Sequence, residues 1–302
     1  MKNRFKLLLV FSVIMICNEI NAQQFYIRAG GGFITETGKT EFNNADPNGI
    51  TGIEQSTDVT VSADGSSVEV KSLQGTLGAG FKFNVTGGYM FNKYLGAELG
   101  LNYFIGDDVL VGRLSSPNVF SEEIANLKGF DAVTAILISP GLEKINPYAR
   151  IGMIFTVSGN LDIKTNVTQY NGGGQGTDIV VNAESEVTSK FSAGFLGAVG
   201  VTYPVSKKIK LFGELEFKNF SIKSKSAEIT SYETKAVTNG QSALVPGEQL
   251  EDLTVSESHF EFTDSYVQST TAAPNENEPT KVPTQYLNMG GFGLNIGIRF
   301  AF

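Results

Sequence analysis

The last stretch of the chain, residues 284–302, alternates strictly between large apolar residues and small or polar ones. Every second residue back from the end is large and apolar, and these residues are Phe302, Phe300, Ile298, Ile296, Leu294 and Phe292. The residues of the other register, from Ala301 back to Gly291, include Arg299, Asn295 and three glycines. A period of two places successive side chains on opposite faces of a strand. The pattern therefore predicts a β-strand with one apolar face and one small, polar face.

The same alternation recurs upstream and predicts eight amphipathic strands in all. The predicted strands are residues 24–34, 75–91, 94–105, 131–142, 148–158, 186–203, 209–222 and 284–302. The segment 131–142 is apolar on both faces, so its register is left open. Three predicted connections are short (92–93, 143–147 and 204–208), and four are long (35–74, 106–130, 159–185 and 223–283). Short turns on one edge and long loops on the other are typical of a membrane β-barrel, whose short turns are periplasmic.

The composition agrees with a chain that crosses a membrane with strands. Charged residues make up 18% of the sequence, whereas soluble domains carry about 25%. Outside the N-terminus, no apolar run approaches the roughly 20 residues that a membrane-spanning helix needs. An edge strand of a soluble sandwich is the alternative for the last strand. The recurrence of the pattern and the length of the loops count against it, because long structureless loops are uncommon inside compact soluble domains.

A sheet in hydrocarbon cannot keep free edges, because each unpaired backbone group there costs several kcal/mol. We therefore expect the first and last strands to pair and to close an all-β, eight-stranded, antiparallel up-and-down barrel. Ten strands are the alternative if part of 223–283 forms a hairpin above the membrane. The residues 23–302 are expected to form this single domain.

Three segments carry a resemblance to a known group of proteins. Residues 138–155 (ISPGLEKINPYARIGMIF), residues 211–223 (LFGELEFKNFSIK) and the Phe-terminated last strand resemble the outer-membrane β-barrel proteins of the opacity, OmpW-like and OmpA-barrel types. The resemblance covers the barrel strands and not the loops. It implies that the last strand, with Phe292, Leu294, Ile296, Ile298, Phe300 and Phe302, is the signal that the barrel assembly machinery reads. No peptidoglycan-binding domain is expected after the barrel.

The N-terminus has the pattern of a secretory signal peptide. Lys2, Arg4 and Lys6 precede the apolar run of residues 7–17, and Ala22 offers a cleavage point. We expect residues 1–22 to be removed. A lipoprotein is not predicted, because Ile16 rather than a small residue precedes Cys17. Cys17 is the one cysteine, so the mature chain is expected to contain no disulfide and no thiolate metal site.

The polar faces of the predicted strands carry charged residues that would point into the barrel. These residues are Arg28, Lys82, Glu98, Arg150, Lys190, Glu214, Glu216, Lys218 and Arg299. The interior of an eight-stranded barrel is just wide enough for side chains to fill it, and buried charges there must be paired. We interpret the set as a salt-bridge plug. Basic residues outnumber acidic ones, so a charged constriction in a narrow pore is the alternative.

Aromatic residues fall near the predicted strand ends, as in the interfacial belts of membrane proteins. Those expected at the turn end are Phe25, Phe91, Tyr94, Tyr148, Tyr203 and Phe302, and those nearer the loops are Phe33, Tyr103, Phe191 and Phe292.

The long loops are acidic. Residues 34–74 hold seven acidic and two basic residues, and residues 223–283 hold ten and four. Such loops would repel a phosphate backbone, so nucleic acid is not an expected partner. A solvated surface is the plainer interpretation, and binding of an extracellular ligand or cation bridging to lipopolysaccharide is the functional one.

The single histidine offers the only hydrolase pattern. His259 stands in the longest loop beside Ser258 and Glu257, with Glu261 two residues on. Neighbours in a loop are poorly preorganised for catalysis, so no enzymatic activity and no catalytic, cofactor or metal residue is predicted. We expect an outer-membrane protein with both termini periplasmic and its loops outside, in contact with membrane lipid and lipopolysaccharide. Its predicted role is that of a structural or surface-interaction scaffold, with a narrow channel for small solutes or apolar molecules as the alternative.

Overall fold

The computed structural model describes residues 24–36, 40–41, 57–267 and 275–302. The predicted signal peptide, its cleavage point and much of the first long loop lie outside these residues. The fold is all-β, and almost every described residue belongs to a strand or a connection between strands.

Eight long strands follow one another around a ring. They are β1 (Gln24–Glu36), β6 (Gly80–Met90), β7 (Leu95–Gly106), β9 (Val119–Ile138), β10 (Asn146–Gly174), β12 (Ala193–Pro204), β13 (Ile209–Asn219) and β19 (Gly291–Ala301). Each pairs antiparallel with the next, and β19 pairs with β1. The predicted pairing of the first and last strands is present, with Arg28 opposite Arg299.

Eleven further described strands lie in the segments that connect these eight along the chain, so the ring is uneven. They are β2 (Thr40–Glu41), β3 (Thr57–Val61), β4 (Val68–Ser72), β5 (Gln74–Gly75), β8 (Val109–Ser115), β11 (Thr177–Lys190), β14 (Ser221–Thr238), β15 (Gln241–Gln249), β16 (His259–Thr263), β17 (Thr280–Pro283) and β18 (Tyr286–Asn288). Among the described residues, helix is confined to a 3-10 turn, Leu250–Asp252, and one α-turn, α1 (Val255–Ser258). No helix in the described part of the chain is long and apolar enough to cross a membrane.

Three of the predicted long loops are largely strand, and this part of the prediction is wrong. β10 continues to Gly174 and forms a hairpin with β11, which in turn pairs with β14. The segments 106–130 and 223–283 likewise contain β8, the start of β9 and β14 to β17. The segments 159–185 and 223–283 contain many Thr, Val and Ile residues, which fit a pleated, half-buried sheet surface. The strands therefore extend well past the 9–11 residues that a membrane requires.

Several predicted bounds also shift. The segment 186–203 is broken at Phe191 and Ser192, where the backbone N–H of Ser192 donates to Oγ1 of Thr156 instead of to a strand neighbour. The last segment is broken between β18 and β19, and the second predicted strand starts at Gly80 and not at residue 75. The open register of 131–142 is resolved by burial, because Val133, Ala135 and Leu137 point inward.

The alternation predicted from the sequence sets the two faces of the ring. In β6, the side chains of Lys82, Asn84 and Thr86 are buried, and those of Phe81 and Phe83 between them are exposed. One edge of the ring, which we call the turn end, carries the short connections 91–94, 139–145 and 205–208, together with Gln24 and Phe302. The opposite edge, the loop end, carries the additional strands.

Most of the expected belt aromatics are on the outer face, and Tyr148 is the exception. Phe25, Phe91, Tyr94 and Phe302 are exposed at the turn end. Tyr148 is buried, since it shares the inward parity of Arg150 on β10, and it packs over Gly200 of the neighbouring strand. Its assignment to the belt is therefore wrong.

Candidate functional site

The interior of the ring near the turn end is filled by charged and hydroxyl groups that meet at Glu214. The Oε2 atom of Glu214 accepts hydrogen bonds from Nη2 of Arg28, at 3.0 Å, and from the hydroxyl of Tyr148, at 2.9 Å. Its Oε1 atom accepts from Nη1 of Arg150, at 2.8 Å, and from Nδ2 of Asn295, at 3.4 Å. Glu214 is 2% exposed, so the four donors take the place of water around its carboxylate.

A second carboxylate, Glu98, joins the same two arginines from the opposite side. Its Oε2 atom lies 2.6 Å from Nε of Arg150, and its Oε1 atom lies 3.6 Å from Nη1 of Arg28. The hydroxyl of Tyr26 donates to Oε1 at 2.6 Å. Two arginines and two glutamates therefore alternate around one buried cluster.

A second polar group lies further toward the loop end. Lys82 forms an ion pair with Glu216, which also accepts from Nδ2 of Asn295 at 3.3 Å. Asn102 donates to Asp131, and both side chains are buried. Asn295 thus connects the Glu216 pair to the Glu214 cluster.

Lys218 is buried beside this group. Its Nζ atom lies 4.8 Å from the centre of the Phe104 ring. This ring offers a cation–π contact to the ammonium group.

These contacts cross the interior instead of running between neighbouring strands. Arg28 on β1 reaches Glu214 on β13 past β19, and Arg150 on β10 reaches the same carboxylate past β12. Lys82 on β6 reaches Glu216 on β13 past both β1 and β19. The side chains therefore span the lumen. The small space left between them is bordered by Arg28, Lys82, Arg150, Glu214, Glu216 and Asn295.

Two of the nine predicted lumen residues stand apart from these groups. Lys190 lies near the loop end, where its Nζ atom donates to the carbonyl of Phe262 at 2.9 Å. Arg299 lies at the turn end, with its guanidinium 3.4 Å from the centre of the Tyr26 ring. The other seven, from Arg28 to Lys218, belong to the two buried groups described above.

Five members of these groups were not predicted from the sequence, and they are Tyr26, Asn102, Asp131, Tyr148 and Asn295. Asp131 falls in the segment whose register the sequence leaves open. Tyr148 has the parity of Arg150, but its place at a strand end predicts a belt residue. Tyr26 and the two asparagines are neutral donors on the polar face, and their parity with the charged residues is the signal that identifies them.

The six residues of the predicted assembly signal all lie on the outer face. Phe292, Leu294, Ile296, Ile298, Phe300 and Phe302 are each at least 40% exposed. The ring of Phe302 makes an edge contact with that of Phe300 at 5.2 Å, and its backbone N–H donates to the carbonyl of Phe25. The end of the chain is thereby held against the first strand.

The Ser258–His259 pair has an unsuitable geometry for hydrolysis. The Oγ atom of Ser258 lies 2.9 Å from Nδ1 of His259, but the hydroxyl donates its proton to the carbonyl of Thr254 at 2.7 Å. The ring therefore donates to the hydroxyl oxygen, whereas a general base must accept from it. The other ring nitrogen lies 3.6 Å from Glu228. Within residues 24–36, 57–267 and 275–302, no cluster of His, Cys, Asp or Glu is arranged to hold a metal ion.

The interior of the loop half is apolar and contains a cavity. The cavity is about 480 Å³, open to solvent in part, and its apolar walls are Phe104, Leu127, Leu161, Val187, Phe220, Ile222, Leu287 and Met289. Asp131 is at its border with the polar group. The lumen is therefore divided along its axis into a charged part and an apolar part.

One ion pair fixes an added strand at the loop end. Arg113 on β8 forms a two-pronged contact with Asp58 on β3, at 3.0 and 2.7 Å. This hydrogen bonding lowers the pKa of the Asp58 carboxyl below its ordinary value and raises that of the Arg113 guanidinium. β3 and β8 pair in parallel at the same place.

A ring of antiparallel strands with an apolar, exposed outer face and charged residues in its interior is typical of an integral membrane β-barrel protein. The sequence model of the family described as "Outer membrane protein beta-barrel domain" matches residues 21–242. The chain belongs to this family, and it is accordingly a protein of the outer membrane.

Solved structures similar to this chain are also outer-membrane proteins. The outer membrane protein OprG from Pseudomonas aeruginosa is 12% identical, with 93% of this chain and 96% of that chain covered and a TM-score of 0.42. A major outer membrane protein from Thermus thermophilus is 11% identical, with 93% and 100% covered and a TM-score of 0.32. CarO from Acinetobacter baumannii is 16% identical, with 75% and 93% covered and a TM-score of 0.27. No curated protein matches the sequence.

Proposed function

We propose that this protein is a non-enzymatic scaffold of the outer membrane, whose eight ring strands form a closed transmembrane barrel with a plugged lumen. The observation that carries the proposal is the set of buried contacts at Glu214, which bring together β1, β10, β13 and β19. A lumen open to ions would leave these groups hydrated. Instead, the Glu214 carboxylate accepts hydrogen bonds from four protein donors, and the buried Glu98 carboxylate lies beside Arg28, Arg150 and the hydroxyl of Tyr26.

The chain's orientation follows from the same proposal. The turn end, with both chain ends, faces the periplasm, and the loop end faces outward. The strands that continue past the ring then form a rigid acidic surface above the membrane. Such a surface suits contact with lipopolysaccharide through divalent cations, or with a basic extracellular partner.

Solute uptake by liposomes tests the plug. Vesicles containing the refolded mature chain should exclude small sugars and amino acids as well as empty vesicles do. The double variant Glu98→Ala and Glu214→Ala removes both central carboxylates and should admit small solutes, provided that its heat-shifted gel mobility shows a folded barrel. Swelling of vesicles with the unaltered protein, at a rate equal to that of the double variant, would contradict the plug.

The apolar cavity favours a second candidate function, the uptake of small apolar molecules. Its walls are largely apolar, as the binding of such ligands requires. A fluorescent apolar probe should bind the folded protein saturably, and Val187→Phe should reduce the binding by filling the cavity. The matched control is Val199→Phe, which enlarges an exposed side chain on the outer face. Equal binding by both variants would assign the probe to the detergent-covered surface and remove this candidate.

A further inference from the structure

Three cations face one another across neighbouring strands at the turn end of the lumen. Arg299 on β19 is opposite Arg28 on β1 on one side and opposite Lys210 on β13 on the other. All three side chains have the inward parity of their strands, as Glu214 does on β13. Directly opposed side chains in a sheet have Cβ atoms about 5 Å apart, and like charges at that distance repel each other. This row therefore needs compensation by negative charge.

The protein compensates only one of the three cations. Arg28 contacts both Glu214 and Glu98. In the part of the chain that the structure describes, neither Arg299 nor Lys210 forms an ion pair with a carboxylate. The terminal carboxylate of Phe302 forms none with them either. The Nε atom of Arg299 is buried and has no hydrogen-bond partner among these residues.

The two glutamates of the turn-end cluster are already engaged. Glu98 and Glu214 are shared by Arg28 and Arg150, so the cluster is neutral without Arg299 and Lys210. Further toward the loop end, Lys82 and Lys218 are matched in number by Glu216 and Asp131. Among these inward side chains of the eight ring strands, the surplus of positive charge is thus concentrated at the turn-end mouth, on two partly buried side chains.

We propose that Arg299 and Lys210 form a binding site for a compact dianion of the phosphate class at the turn-end mouth of the lumen. A guanidinium presents a fork of donors that fits phosphate oxygens, and an adjacent ammonium adds a second charge. The ring of Tyr26 holds the Arg299 guanidinium in place by stacking at 3.4 Å. Lys210 is directly opposite Arg299 in the sheet, so the two residues together supply the two positive charges that match a phosphate dianion.

The inward direction of both side chains favours a soluble ligand over a lipid headgroup. Headgroups lie around the outside of a barrel, whereas Arg299 and Lys210 face the space enclosed by it. The ligand must therefore enter from the water at the turn end. The site goes beyond the proposed scaffold role and does not depend on whether the lumen conducts.

Titration calorimetry of the refolded mature chain with inorganic phosphate and pyrophosphate tests the proposal. The ionic strength is held constant with sodium chloride, so that general screening does not change during the titration. We expect saturable binding of one anion per chain. Lys210→Gln or Arg299→Gln should weaken the binding by roughly tenfold or more, because each removes a charge-assisted hydrogen bond. Lys144→Gln, at an exposed turn position on the same edge, should leave it unchanged.

Charge-retaining variants and a lipid comparison complete the test. Lys210→Arg should keep the binding, and it separates lost charge from lost structure. If Arg299→Gln does not fold, Lys210→Gln alone decides the result. The affinity for the anion should be equal in nanodiscs of phosphatidylcholine and in nanodiscs that also contain phosphatidylglycerol. Competition by the anionic lipid would show that the site binds a lipid headgroup, and it would overturn the proposal of a soluble ligand. The absence of saturable binding, or equal binding by Lys210→Gln and the unaltered chain, would refute the site.

Discussion

The Nη1 atom of Arg150 lies 2.8 Å from Oε1 of Glu214, although a whole strand, β12, stands between their two strands. Contacts between neighbouring strands would be made by almost any pair of opposite charges on one face. A contact that passes over a strand requires the side chains to reach across the lumen. The buried charges of β10 and β13 therefore meet across the lumen.

Replacing Glu214 by Gln should destabilise the folded barrel strongly. The change leaves the buried charges of Arg28 and Arg150 without one of their two carboxylates. Breaking a buried ion pair from one side typically costs about 3–5 kcal/mol. Urea unfolding of the refolded protein in lipid vesicles measures the effect.

A turn residue serves as the control for this change. Glu143→Gln alters an exposed glutamate in the connection between β9 and β10 and should shift the free energy of unfolding by less than about 0.5 kcal/mol. Equal stability of the two variants would mean that water, and not Arg28 and Arg150, neutralises Glu214.

Gly200→Val should destabilise the protein through Tyr148. A Cβ atom at Gly200 would lie 2.6 Å from Cζ of Tyr148 and 2.6 Å from the carbonyl oxygen of Gly213. The ring would have to leave its place beside Glu214, at a cost of about 1–3 kcal/mol for overpacking. Gly197→Val on the same strand is the control, because nothing lies within 4 Å of a Cβ atom there. A larger loss of unfolding free energy in the Gly197 variant would contradict this packing account.

Deleting Phe302, or replacing it by Ala, should reduce the yield of assembled barrel in the outer membrane. The side chain is 64% exposed and contributes little to packing, so a large effect would reflect recognition of the last strand and not folding energy. Phe91→Ala is the matched control, since this aromatic is also exposed at the turn end. Heat-shifted gel mobility of membrane fractions gives the folded yield. Normal yield without Phe302 would remove it from the assembly signal.

The contact of β3 with β8 should weaken in acid. Because Arg113 lowers the pKa of Asp58, the ionised carboxyl stabilises the folded contact above its ordinary pKa of 3.8, and this stabilisation is lost as the pH falls through the lowered value. Amide hydrogen exchange of β3, normalised to an unstructured peptide, should accelerate between about pH 5 and pH 2. Asp58→Asn should exchange fast throughout. An unchanged rate in the unaltered chain would show that the ion pair does not hold β3.

The sequence was sufficient to predict the membrane-facing half of the molecule. Alternation fixes which side chains of β6 or β19 share a face, because a strand has only two faces. The pairing of β1 with β19 followed from the cost of a free edge in hydrocarbon. Neither the alternation nor the cost of a free edge depends on how the side chains pack.

Three features could not be predicted from the sequence, each for a physical reason. They are the extent of the long strands, the direction of Asp131 and the partners of Glu214. β10 and β11 continue past the ring and still bury apolar residues such as Leu161 and Val187, so alternation gives no end point for the strands. The inward direction of Asp131 could not be derived from a segment that is apolar on both faces. The partners of Glu214 depend on which strands face one another across the lumen, and this is a property of the ring and not of any one strand.

Single-channel conductance of the refolded mature chain in a planar bilayer tests the central claim, that the Arg28, Glu98, Arg150 and Glu214 cluster closes the lumen. We expect a silent bilayer when the heat-shifted gel mobility shows that the barrel is folded. A steady conductance of the unaltered chain, changed in size or ion selectivity by Glu214→Gln or Arg150→Gln, would contradict the plug and identify a narrow, charge-lined pore.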